Sequence, residues 1–250
     1  MSHRLLQIFS LWLFAGLSCS SQADNAQQLI RQAIDNYRGI TSYSEATMTI
    51  HRPDWQRVIA MKAWTEGLDK SLVRITAPKK DKDSGSLLLD DNMWSYAPKI
   101  NRVIKIPSSM SGQSWMGSDF SNNDIARADD IIDNYTHTLL ETKNHNGHKL
   151  FIIQSVPHED APVVWGKEVL QIRDDHVLLE HAFYDQDGIL IKKLTTSEIK
   201  TISGKTIATT QRMQKADKEN EWTEFHSSVI KFNIIIPKNT FTLSNLRNPR

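Results

Sequence analysis

Residues 43–77 read YSEATMTIHRPDWQRVIAMKAWTEGLDKSLVRITA, and the step between apolar side chains in this stretch is two. Met48 and Ile50, Ile59 and Met61, and Val73 and Ile75 alternate with polar or small residues, which places each pair on one face of an extended strand. Three strands follow, Tyr43–Arg52, Arg57–Glu66 and Leu72–Ala77. The first two are joined by a turn at Pro53-Asp54, so they are expected to be antiparallel neighbours. Leu87 and Leu89 are read as continuing the same apolar face, followed by strands at Met93–Tyr96 and Arg102–Ile106. Beyond residue 134 the pattern resumes at Tyr135–Thr142, Lys149–Val156, Lys167–Asp174, Val177–Tyr184, Ile189–Ile202, Thr206–Lys215 and Trp222–Ile235. Turn residues separate these runs at Asn146-Gly147, Asp174-Asp175, Asp187-Gly188 and Ser203-Gly204. The expected fold is mainly β within the α+β class: a meander of roughly ten to twelve antiparallel strands, long enough that it must curl or close on itself. The tail residues Phe241, Leu243 and Leu246 are expected to pack back onto it.

The amino-terminal region has a different character. A weakly basic start (His3, Arg4), an apolar run from Leu5 to Leu17 and the small-x-small site Ser21-Gln22-Ala23 make Met1–Ala23 a secretory signal peptide. Leu17 stands one place away from where lipidation of Cys19 would require it, so cleavage after Ala23 is expected, leaving a single domain over residues 24–250 without cysteine. The leader holds one arginine and no acid, so the 30 Lys+Arg and 29 Asp+Glu of the whole chain become 29 of each. That balance gives no electrostatic case for nucleic acid. Asp24–Tyr37 carries Ala26, Leu29, Ile30, Ala33, Ile34 and Tyr37 at helical spacing, with Gly39 just beyond, and is read as a helix burying one face.

The unusual stretch lies between residues 107 and 120. Pro107–Gly117 has loop composition, with four serines, two glycines and a proline, yet presents Met110, Trp115 and Met116. Methionine suits irregular or changing apolar partners. Two readings stay open from the residues: a movable cover over an apolar cavity, or an ordered loop tucked into the core. If it is a cover, Trp94, Tyr96, Met110, Trp115, Met116 and Phe120 are the side chains placed to meet a lipid. Asn122–Asn134 follows as a short amphipathic helix, and its aspartates lack the alternate-residue spacing of a calcium loop.

Catalytic chemistry finds little support. Gly112-Gln113-Ser114-Trp115-Met116-Gly117 places its second glycine one residue late for a nucleophile elbow and lies in a loop. His145 and His148 flank a turn with no third metal ligand near them in sequence. No catalytic residue, metal site or cofactor is therefore expected.

Several stretches together resemble the LolA-like periplasmic outer membrane lipoprotein-sorting proteins. They are Arg74-Ile-Thr-Ala-Pro78-Lys79 with Gly85; Trp94-Ser-Tyr96-Ala-Pro98 with Arg102; Met116-Gly117-Ser118-Asp119-Phe120-Ser121 with Asp124; Tyr184-Asp-Gln-Asp187-Gly188 with Lys192 or Lys193; and Phe241-Thr-Leu243 with Leu246-Arg247. The resemblance implies an unclosed antiparallel β-barrel with a helix and loop lid over an apolar cavity. It also implies a monomeric periplasmic carrier that takes the acyl chains of a lipoprotein or lipid from an inner-membrane exporter, here of the RND type, toward the outer membrane through transient membrane-associated partners. An arginine that steadies the lid belongs to that picture, with Arg74 and Arg102 as candidates. The rival reading is an adaptor that docks on an exporter through an exposed strand edge and carries nothing.

Overall fold

The computed structural model describes residues 18–248. The leader expected over Met1–Ala23 lies outside the described residues as far as Leu17. Helix α1 spans Ser18–Arg38 and so contains the whole of the helix read at Asp24–Tyr37. Its buried face is Ala26, Leu29, Ile30 and Ala33, the residues at helical spacing, and Gly39 ends it in the left-handed region (φ 65°).

Thirteen strands form one antiparallel sheet, at least one more than the ten to twelve expected. The first six are β1 (Thr41–Arg52), β2 (Trp55–Glu66), β3 (Lys70–Ala77), β4 (Gly85–Leu89), β5 (Asn92–Ala97) and β6 (Arg102–Ile106). The remaining seven are β7 (Tyr135–His145), β8 (His148–Pro157), β9 (Lys167–Arg173), β10 (Leu178–Tyr184), β11 (Leu190–Ile202), β12 (Lys205–Lys215) and β13 (Trp222–Phe232). Each run is a meander of sequence neighbours, and the two runs join where β1 pairs with β13, giving the order β6-β5-β4-β3-β2-β1-β13-β12-β11-β10-β9-β8-β7. The terminal strands β6 and β7 do not pair with each other, so the barrel is unclosed.

The alternation sorts the side chains as period two requires. Met48, Ile50, Ile59, Met61, Val73 and Ile75 gather with Met93 and Trp115 in one cluster on the inner face. A second inner cluster packs α1 against Ile153, Leu170 and Ile172. On the outer face the tail lays Phe241 and Leu246 over Leu72, Leu87 and Tyr96. Leu87 therefore points outward, against the expectation that it shares the face of Val73 and Ile75. The cross-strand partners explain this, since Leu87 stands opposite Leu72 and it is Leu88 that stands opposite inward-facing Met93. Leu243 and Leu246 belong to a short helix, α4 (Leu243–Arg247), and Leu243 stays exposed.

Pro107–Asn134 connects the two free edges of the sheet and crosses its inner face. The single helix read over Asn122–Asn134 is two, α2 (Asn122–Ala126) and α3 (Asp130–Asp133). The break at Arg127 lets Ile125 and Ala126 join the Met48–Trp115 cluster while Ile131 and Ile132 pack under α1. No helix among the described residues is long and apolar enough to cross a membrane.

Candidate functional site

Between α1, the crossing segment and the inner face of the sheet lies a cavity of about 340 Å³. Its walls are mainly apolar, with Ile30 and Ile34 from α1, Val73 and Leu170 from opposite halves of the sheet, and Trp115 and Phe120 from the segment. The volume stands at the lower end of the roughly 300–1,000 Å³ typical of small-molecule sites.

Of the six side chains read as lipid-facing, the structure brings two to this cavity. Trp115 and Phe120 line it, and both are buried. Met116 packs on the neighbouring cluster at the mouth of a small cleft beside Trp115. Its backbone stands in the left-handed region (φ 54°), uncommon for a side chain of this size. Met110 is half-buried in a 3-10 turn (Ser108–Met110) away from the cavity, where its carbonyl accepts a hydrogen bond from Asn122 Nδ2 at 2.9 Å. Trp94 and Tyr96 lie on the other side of the sheet. In β5 it is Met93 that turns inward, so its neighbours in the alternation face out, beneath Phe241 and Leu246.

The segment is fixed by polar contacts that use nearly every residue of Met116–Asp124. Ser118 Oγ donates to the Trp115 carbonyl at 2.7 Å. Asp119, 3% exposed at its side chain, receives both Arg52 guanidinium nitrogens at 3.0 and 3.1 Å and the Thr223 hydroxyl at 2.7 Å. Ser121 and Asp124 form a reciprocal capping box at the start of α2. Asp124 also takes the buried ammonium of Lys192, which lies against the rings of Trp165 and Phe183. Arg57 Nη1 donates to the Met116 carbonyl at 3.2 Å while pairing with Asp81.

The cations holding the segment are thus Arg52, Arg57 and Lys192 rather than Arg74 or Arg102. Arg74 is in phase with outward-facing Leu72, and its guanidinium caps the tail helix through the Asn245 and Leu246 carbonyls at 2.6 and 2.7 Å. Arg102 is exposed at the sheet edge and makes no side-chain hydrogen bond or ion pair among the described residues. Arg52, Arg57 and Lys192 had a legible signal: each is a cation in phase with the inward apolar residues of its own strand or its strand partner.

Polar groups also cross the inner face of the other half-sheet. Glu168 is in phase with Leu170 and Ile172, is 4% exposed, and lines the cavity. One carboxylate oxygen accepts from the Tyr135 hydroxyl and the other bonds His181 Nε2. Burial, followed by the charge of Glu168, raises the Tyr135 pKa, so this phenol keeps its proton and donates. Beside them His137 Nδ1 bonds Ser155 Oγ at 2.8 Å and its Nε2 faces the Ile132 carbonyl at 3.3 Å. Burial lowers the His137 pKa from 6.5, so the stability of its neutral form is present above about pH 6.5 and is lost as the pH falls through the lower folded value. Urea unfolding between pH 5 and 7 should show this rise in stability with pH, flattened in His137→Gln.

At the far end of β7 and β9, His148, Asp174 and Asp175 bring ligand atoms within 4.8 Å of one another, a grouping not expected from the sequence. The β9–β10 turn supplies the two aspartates. Arg173 already occupies the middle of it, at 2.6 Å from both His148 Nε2 and Asp175 Oδ2. Ser114 is exposed and forms an isolated bridge with Ser121, and its hydroxyl makes no side-chain hydrogen bond among the described residues.

A family model described as an uncharacterized protein matches residues 67–248. No curated protein matches the chain. Among solved structures, a DUF1329 family protein from Desulfovibrio piger superposes with a TM-score of 0.81 at 26% identity, over 90% of this chain and 99% of that one. A domain named for outer membrane lipoprotein sorting, from Vibrio parahaemolyticus, gives 0.79 at 22% identity over 90% and 99%. A LolA superfamily protein from Nitrosomonas europaea gives 0.72 at 20% identity over 88% and 98%. With that family model spanning residues 67–248, the chain belongs to the family it describes, and its fold is the unclosed β-barrel shared by these solved structures, the LolA superfamily protein among them.

Proposed function

We propose that the protein is a periplasmic carrier that binds the acyl chains of a lipoprotein or lipid, receives them from an inner-membrane exporter of the RND type, and passes them toward the outer membrane without catalysing a reaction. The observation that carries this reading is the apolar cavity enclosed by α1, Pro107–Asn134 and the inner face of an unclosed barrel. Each methylene kept from water contributes about 0.8 kcal/mol, so a single long acyl chain supplies enough driving force for uptake. At about 340 Å³ the cavity is small for several chains, and a larger cargo requires the crossing segment to move outward.

The rival reading, an adaptor without cargo, is favoured by one observation, the two unpaired strand edges β6 and β7. Mass spectrometry of an organic extract of the purified protein, together with titration of a fluorescent acyl probe, separates them. A carrier should release lipid and bind the probe saturably at one class of site. An empty extract with no probe binding would sink the carrier reading and leave the adaptor.

A further inference from the structure

The cavity is not uniformly apolar, and the buried carboxylate of Glu168 on its wall calls for an explanation. Glu168 is placed on the wall with 4% exposure, between Leu170 and the aromatic ring of Phe183, where an apolar side chain would fill the space. An ionic group in such a position is commonly replaceable by an apolar one with no loss of stability, so packing alone does not require it. Its two bonds leave further acceptor capacity, because a carboxylate offers about four lone-pair positions and Tyr135 and His181 use two. His181, stacked on Phe183 at 4.1 Å, also lines the cavity, and no partner holds its Nδ1 among the described residues.

On the carrier reading, we infer that Glu168 with His181 is a polar-end site, which selects amphiphiles that bring a hydrogen-bond donor, a hydroxyl or an amine, into the cavity and rejects those that bring an anion. A donor reaching this wall meets lone pairs of a desolvated carboxylate, where hydrogen bonds are at their strongest, while a carboxylate or phosphate meets a like charge from which water is excluded. The other charged groups on the wall are engaged with one another or with backbone: Asp124 with Lys192, Arg127 with Asp130, and Arg38 with the Gly67 and Lys70 carbonyls. The site therefore gives the ligand an orientation, polar end toward β9 and β10, apolar length toward Trp115.

The test is displacement of a fluorescent acyl probe by hexadecanol, hexadecylamine, methyl hexadecanoate and hexadecanoate, with wild type and Glu168→Gln. In the wild type the alcohol and the amine should bind about tenfold or more tighter than the ester and the acid, the ratio set by a hydrogen bond to a charged group. In Glu168→Gln that preference should shrink severalfold and hexadecanoate should gain affinity. Equal binding of all four to the wild type, or a preference untouched by the substitution, would overturn the polar-end site while leaving the carrier reading in place. Displacement by none of them would overturn both. Should Glu168→Gln fail to fold, Tyr135→Phe keeps the carboxylate and frees a lone pair, so the preference must persist, and its loss would refute the site.

Discussion

Arg52→Met should destabilise the fold by about 3–5 kcal/mol in urea unfolding, because it leaves the Asp119 carboxylate, 3% exposed, without its cation. The pair is bidentate, and the second bonding direction of Asp119 is taken by Thr223 on β13, so no water-facing route exists for the stranded charge to relax. Asp119→Leu in the same background should recover much of the loss, since an apolar pair replaces the ionic one at similar volume. A loss under about 1 kcal/mol for the single variant would mean that the segment is held by its apolar side chains and that the ion pair only decorates it.

The second large effect is expected at Trp115. Its indole is 3% exposed, packs with Met48, Ile59 and Ile75, and donates from Nε1 to Ser86 Oγ at 3.1 Å. Trp115→Ser should therefore cost about 3–5 kcal/mol of folding stability with no ligand present, the usual range for emptying a large buried aromatic site. It should also weaken the fluorescent acyl probe, because the same ring forms part of the cavity wall. A variant that lost probe affinity with its stability unchanged would show that Trp115 is a detachable cover and no part of the packed interior.

Of Pro107–Phe120, which the residues left open as a movable cover or an ordered loop tucked into the core, Trp115 is packed in the interior and also lines the cavity. Composition alone could not separate them, since a buried and an exposed tryptophan have the same sequence; what decides is the row of polar contacts from Ser118 to Asp124, each of which requires a partner more than sixty residues away or a local turn. The strands were legible because alternation is local. The face each strand turns inward was legible where apolar residues mark it, as at Met48 and Ile50, and failed at Leu87–Leu89, where three leucines in succession carry no phase. Trp94 and Tyr96 were misplaced for a related reason: an aromatic residue under the carboxy-terminal tail looks the same in sequence as one under a lid. Arg74 was misassigned because its partners are backbone carbonyls of residues 245 and 246, which no side-chain pattern announces. Glu168 and Lys192, by contrast, were visible in principle as charges in apolar phase.

The crossing segment has a consequence for how the polypeptide may be cut and rejoined. The two meanders are already held together by the β1–β13 ladder, whose partners run from Ser42 opposite Phe232 to His51 opposite Trp222. The covalent link through residues 107–134 is therefore redundant for keeping the halves in register. A chain nicked at Ser111-Gly112, or permuted to begin there, still has every one of its thirteen strands beside its native neighbour, and its new ends emerge at the gap between β6 and β7. In the vocabulary of engineering, the molecule is a split protein whose seam lies at the centre of the sheet and whose covalent connection can be cut while its side chains stay packed on the inner face.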